Sequence, residues 1–209
     1  MLEAIQLECA RGFRTLFTGL DFALQPGELL LVAGTNGSGK TSLLRILCGL
    51  LTPDAGEIRW KGREVRALSE DYRRELLYVG HASGVKEELT PAENLRIACT
   101  LGGTKATDKA LAGALAAFGL LGFENAPVKA LSQGQRRRAV LARLALGDEY
   151  PLWLLDEPLN ALDKSATSQV ERSIGRHLER GGMVVMATHQ PVATLAGVTR
   201  TIELDGCVV

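Results

Sequence analysis

The chain has 209 residues, with 24 Lys and Arg against 24 Asp and Glu, and 5% aromatic residues. That length predicts one domain, or one domain with a sub-lobe, and a substantial buried core. The even charge excludes the basic surplus of a nucleic-acid binder and the acidic surplus of a disordered chain, and so few rings leave no stacking platform for single strands.

The N-terminus, MLEAIQLEC, has no basic start followed by an apolar stretch, so no signal peptide is expected. No apolar run approaches the roughly 18 residues that a membrane span needs. If the protein works at a membrane, another chain supplies the span. Along the chain, Ile5–Leu24 and Glu57–Trp60 read as antiparallel strands. Three apolar, strand-length runs follow the pattern of strands covered on both faces: Leu29–Ala33, Leu152–Leu155 and Met183–Ala187. Thr41–Cys48 reads as a helix closed by Gly49, Asp108–Leu121 as a helix rich in Ala and Leu, and Ser132–Leu146 as a helix opened by a Ser132–Gln135 capping box. The region from about Ala82 to Leu131 has no strong buried-strand signal and is expected to be mostly helical. A helical sub-lobe at roughly 82–145 is therefore predicted inside a single domain spanning 1–209. The C-terminal TIELDGCVV is expected as a hairpin with no added regulatory domain. The four cysteines, Cys9, Cys48, Cys99 and Cys207, form no CxxC pair and are expected to be buried, reduced thiols.

Each of the three apolar runs ends directly in polar residues: the Gly34 loop, Asp156–Glu157, and Thr188–His189. Ligands of open α/β sheets bind at the carboxyl ends of parallel strands, so one shared site is implied. The run Gly34-Thr35-Asn36-Gly37-Ser38-Gly39-Lys40-Thr41 fits GxxxxGK[ST]. Its glycines let the backbone wrap phosphates with its N–H groups, and the following helix adds its positive end. Lys40 is placed to reach the β- and γ-phosphates of ATP, and Thr41 to ligate Mg²⁺. Asp156 is placed to hold the same Mg²⁺ through water, and Glu157 to polarise the attacking water. Taken alone, that acidic pair would read better as the start of a surface turn before Pro158. Ser132 and the amides of its helix could form an anion site, or a plain helix cap.

The segment Leu131-Ser132-Gln133-Gly134-Gln135 resembles the LSGGQ signature of ABC ATPases, with Gln133 in place of a Gly. The phosphate loop, this signature, LLDEP, the Asn160–Asp163 turn (NALD) and ATHQ around His189 occur in family order and spacing across essentially the whole chain. The resemblance implies an α/β P-loop NTPase core with a mainly parallel sheet, an N-terminal antiparallel β subdomain and an inserted helical subdomain. It also implies a head-to-tail homodimer of ATPase subunits. In it, Ser132, Gly134 and Gln135 would contact the γ-phosphate bound to the other subunit, Asp163 would shape the seam, and His189 would contact the γ-phosphate and help hold Glu157. A histidine after a buried strand is, by itself, more often structural.

Two positions depart from the family. His81 follows Tyr78-Val79-Gly80 where a Gln usually senses Mg²⁺ and links the site to the membrane partner; a coupling role for His81 is expected. The adenine-stacking aromatic aligns with Arg11, with Phe13 nearby, and either could stack on the base. A narrower similarity rests on Arg14–Phe22, Pro53–Ile58, Gly80–Lys86 and Ala187–Pro191. These segments look like the ATP-binding subunits of cytochrome c maturation haem exporters, whose members carry GHxxG at the His81 position. That implies transmembrane haem-exporter partners of the CcmB/CcmC kind, a peripheral location on the cytoplasmic face of the bacterial inner membrane, and a role in haem export or haem-chaperone release. With no CxxCH context around any cysteine, no direct haem binding is expected, and no nucleic acid. The alternatives are the ATPase of another ABC transporter, a soluble ABC ATPase acting on nucleic acid or ribosomes, and a non-ABC P-loop kinase or GTPase. Only about ninety residues separate the phosphate loop from the signature, with no sustained heptads, which argues against chromosome-type members. Arg136-Arg137-Arg138 is read as a solvated helix face or a few contacts at the dimer seam.

Overall fold

The computed structural model describes residues 1–81, 84–189 and 198–204; Ala82 and Ser83, Gln190 and Pro191 of the ATHQP segment, and 205–209 with Cys207 lie outside the described residues. The chain opens with β1 (Leu2–Arg11) and β2 (Arg14–Leu24), joined by the two-residue turn Gly12-Phe13. Next come β3 (Glu28–Ala33), α1 (Lys40–Leu47), β4 (Ala55–Trp60), β5 (Arg63–Glu64), α2 (Val65–Arg74) and β6 (Leu76–Val79). Helices α3 (Pro91–Leu101), α4 (Asp108–Ala117) and α5 (Gln133–Leu141) follow, then β7 (Leu152–Asp156), α6 (Lys164–Glu179), β8 (Met183–Ala187) and β9 (Val198–Glu203).

Two sheets form. One is antiparallel in the order β2-β1-β4-β5, and the other has the order β6-β7-β8-β3-β9 with every pairing parallel. The α/β expectation, with a separate antiparallel sheet, is met. Parallel strands buried on both faces send alternate side chains into two different cores. Leu29, Trp153, Leu155, Val184 and Met186 pack with α6 and the helices of residues 91–146. Leu30, Val32, Leu152, Leu154 and Val185 pack on the other side with α1 and the antiparallel sheet. Each fully buried Leu contributes about 1.5–3 kcal/mol relative to exposure, so the two cores fix β3, β7 and β8 firmly.

Local chemistry sets the element ends. In α3, Thr90 and Glu93 form a reciprocal capping box, with Pro91 in the first turn, and Ser132 with Gln135 does the same for α5, as its sequence predicts. Gly49 closes α1 with positive φ, again as expected. Two predicted helices are shorter than read. The stretch from Asp108 ends at Ala117 because Gly119 takes a left-handed φ of 71° and the Leu120 N–H reaches back to the Leu115 carbonyl. The stretch from Ser132 leaves the α-helix at Leu141 and continues as a tighter 3-10 turn through Leu146. Of the C-terminal segment expected as a hairpin, residues 205–209 lie outside the described residues; its first residues, 201–203, belong to β9, a parallel neighbour of β3 in register from Glu28–Val198 to Ala33–Glu203. Cys9, Cys48 and Cys99 are free and buried, and burial raises the pKa of each thiol. Among the described residues, no helix is long and apolar enough to cross a membrane.

Candidate functional site

The carboxyl ends of β3, β7 and β8 converge on one cleft of about 610 Å³. From β3 the chain passes through Gly34 at φ 143°, where a Cβ would sit 2.5 Å from the Leu204 carbonyl oxygen and 2.6 Å from Ser38 Oγ. No side chain fits there. Gly39, at φ 108°, packs against Leu16 and Phe17 and starts α1. Thr35, Asn36 and Gly37 form the exposed rim of this loop, whereas Ser38 is buried and its hydroxyl has no hydrogen-bond partner among the described residues.

The Lys40 ammonium folds over the loop, donating to the carbonyls of Gly34 (2.7 Å) and Thr35 (3.0 Å), and stands 3.9 Å from Glu157 Oε1. Thr41 Oγ1 donates to Asp156 Oδ1 at 3.2 Å. Asp156 is wholly buried, yet its Oδ2 has no partner among the described residues. An uncompensated carboxylate oxygen beside a threonine hydroxyl is the donor chemistry that a small hard cation takes.

Glu157 has a left-handed φ of 49° and donates its N–H to the Ala187 carbonyl at 2.9 Å, which ties β7 to β8 just where both end. Its Oε2 pairs with His189 Nδ1 at 2.9 Å. The carboxylate thus lies between an ammonium and an imidazole, at the wall of the cleft. His189 is about half exposed. Such a carboxylate can accept a proton from a water, and the flanking cation can steady developing negative charge.

Of the other expected residues, Arg11 and His81 line the same cleft, while Phe13 is fully exposed at the β1–β2 turn and is not part of its wall. His81 also borders a second cavity of about 540 Å³, formed by Arg45, Tyr78, Asn94 and Arg143 among others. Ser132, Gly134, Gln135 and Asp163 do not line the cleft of their own chain. Gly134 packs against the Ala161 carbonyl, so the start of α5 leans on the Asn160–Asp163 turn. Asp163 caps α6 through the Ala166 N–H and pairs with Arg138 at 2.6 Å.

Three residues of this region escape the sequence reading. Arg14 and Asn160 line the cleft. Arg137 is not solvated: its buried guanidinium donates to the carbonyls of Gly80 (3.1 Å), Asp156 (3.1 Å) and Glu157 (2.8 Å). Burial lowers its pKa, and the charges of Asp156 and Glu157 oppose that shift. The available signal was helical spacing, because Arg137 shares a face with the apolar Val140 and Leu141.

Known proteins match this arrangement. The family described as ABC transporter matches residues 17–160. A protein of Dechloromonas aromatica (strain RCB) named cytochrome c biogenesis ATP-binding export protein CcmA is 52% identical over 98% of this chain and 100% of its own length. Its namesake in Nitrosospira multiformis is 52% identical over 97% and 98%. Among solved structures, a dimeric bacterial ABC transporter cassette superposes with a TM-score of 0.84 at 23% identity, over 100% of this chain and 97% of that one, which speaks to the fold. An ATP-binding cassette in a dimeric post-hydrolysis state with ADP and Pi superposes with a TM-score of 0.79 at 25% identity, over 91% and 88%.

Proposed function

Because this chain belongs to the ABC transporter family, we propose that it is the ATP-hydrolysing subunit of a membrane complex that serves c-type cytochrome biogenesis, through haem export or release of a haem chaperone. The observation that carries the hydrolytic reading is Glu157, held between Lys40 and His189 beside a loop that only glycine backbone can form. The biogenesis reading is supported by relatives at 52% identity over nearly the full length of both chains.

In this reading the amides of Gly34 to Thr41 and the Lys40 ammonium take the β- and γ-phosphates of ATP. Lys40 exchanges its present carbonyl partners for phosphate oxygens. Thr41 and Asp156 would hold Mg²⁺, which would neutralise charge on the phosphate oxygens. Glu157 accepts a proton from a water aligned with the γ-phosphorus, the bond to the bridging oxygen breaks, and ADP departs with phosphate. His189 orients Glu157 through its Nδ1 contact. Arg11 or Phe13 takes the adenine ring.

Ser132, Gly134 and Gln135 would act on the ATP of a second copy, with Asp163 at the seam; their absence from the cleft of their own chain supports this. His81, shared by the nucleotide cleft and the neighbouring cavity, would couple the site to transmembrane subunits of the CcmB/CcmC kind at the cytoplasmic face of the inner membrane. Residues 82–145 would form the lobe that moves with them.

Two experiments test the proposal. Glu157→Gln is expected to bind ATP, lose turnover and accumulate as a dimer; normal turnover would remove Glu157 from the chemistry. Purification from detergent-solubilised membranes is expected to bring along haem-handling membrane subunits. Recovery with ribosomes or nucleic acid, or with membrane subunits of another transporter, would overturn the biogenesis assignment.

A further inference from the structure

The hairpin that opens the chain places two arginines face to face. Arg11 ends β1, Arg14 begins β2, and they are register partners across the turn Gly12-Phe13. Like charges directly opposite each other on paired strands destabilise the pair. Neither guanidinium has a hydrogen-bond or ion-pair partner among the described residues; Asp54, just before β4, accepts the Ala10 N–H instead. Among the described residues the pair is therefore uncompensated.

Both arginines line the nucleotide cleft. Arg14 reaches the phosphate loop: its Nη1 lies 3.9 Å from where a Cβ on Gly37 would sit. Among the described residues that line this cleft, the Arg and Lys side chains are Arg11, Arg14 and Lys40, and the carboxylate is Glu157, which Lys40 already faces. Clefts lined by one sign of charge concentrate ligands of the other sign. A guanidinium is suited to phosphate oxygens because its planar fork can donate two parallel bonds.

We propose that Arg14 is a polyphosphate-binding residue, which reaches across from the antiparallel sheet to the phosphate tail of the nucleotide while Arg11 remains free for the base. This rests on the nucleotide reading of the cleft and adds to it a contact from outside the phosphate loop. The nucleotide thereby bridges the two sheets of the fold, and its charge relieves the repulsion between the paired arginines.

The probe is ADP, titrated calorimetrically into the intact wild-type chain and into Arg14→Ala and Arg14→Lys, with thermal melts of each protein in the absence and presence of ADP. A lost charged hydrogen bond predicts roughly tenfold or greater weakening in Arg14→Ala, with a smaller loss in Arg14→Lys. The melting temperature of unliganded Arg14→Ala is expected to equal or exceed that of the wild type, because a repulsive partner has gone. The upward shift caused by ADP is expected to shrink. Equal ADP affinity in wild type and Arg14→Ala overturns the proposal. So does a parallel fall in affinity and unliganded melting temperature, which marks a structural residue. Failure of the wild type to bind ADP would overturn the nucleotide reading itself, and the proposal with it.

Discussion

Acid should weaken this fold through His177, by an amount that can be worked out. The ring is 3% exposed, stacks on Trp153 with centroids 4.0 Å apart and planes 10° apart, and leaves Nε2 without a partner among the described residues. Burial depresses its pKa from 6.5 to about 4, while a backbone hydrogen bond with Met183 and the charge of Asp148 oppose that shift and Arg180 assists it. The folded state therefore favours neutral imidazole, and the unfolded chain binds the extra proton between the two values. Stability must fall as pH drops below about 6.5 and level off below about 4. The full loss at the acid limit is about 3 kcal/mol, of which about 2 kcal/mol falls between pH 7 and pH 5. His177→Phe keeps a ring on Trp153 and removes the titration. Urea denaturation of both proteins at pH 7, 6 and 5 isolates the effect, because every other titrating group cancels in the difference. The gap in unfolding free energy should move by about 2 kcal/mol in favour of the variant on going from pH 7 to pH 5. A gap that stays constant refutes the argument.

Arg137→Met should lower kcat at least about tenfold with little change in the KM for ATP, since the carbonyls it releases are those of Asp156 and Glu157 themselves, whose backbone aims their carboxylates; Arg137→Lys should recover part of the loss in steady-state assays. Gly34→Ala forces a Cβ to 2.5 Å from the Leu204 carbonyl, so ADP binding should disappear by calorimetry while far-ultraviolet circular dichroism stays near that of the wild type. Asp163→Ala removes both the α6 cap and the Arg138 pair, and should cost about 1 kcal/mol in chemical denaturation.

Strands β3, β7 and β8 could be read from the sequence because burial on both faces leaves an unbroken apolar run, and the first polar residue after each run marks the site. The capping box at Ser132 was equally legible, since it depends on side chains three residues apart. Pairing between remote segments was not. Nothing local to Val198–Glu203 indicates that its partner in the sheet lies near residue 30. Arg137 was hidden by its neighbours: three arginines in a row look like a solvated face, although only the middle one turns inward with Val140 and Leu141. Arg14 belongs to the cleft only because the hairpin folds against the phosphate loop, a tertiary relation with no sequence period. Strand β6 is four residues long at the sheet edge, too short for its alternation to stand out.

The position of β3 has a consequence for the order in which the molecule comes together. Its hydrogen-bonded neighbours are β8 and β9, from residues 183–187 and 198–203, and Gly34 is walled by the Leu204 carbonyl. The antiparallel sheet, by contrast, draws all its strands from residues 2–64 and can close early through short loops. The phosphate loop is thus completed late, by segments that supply backbone and almost no chemistry. A fragment ending before β8 would carry every residue of the GxxxxGK[ST] motif together with Asp156 and Glu157, and should hold no nucleotide. In refolding, the appearance of ATP binding is then a clock for the last long-range pairing of the chain.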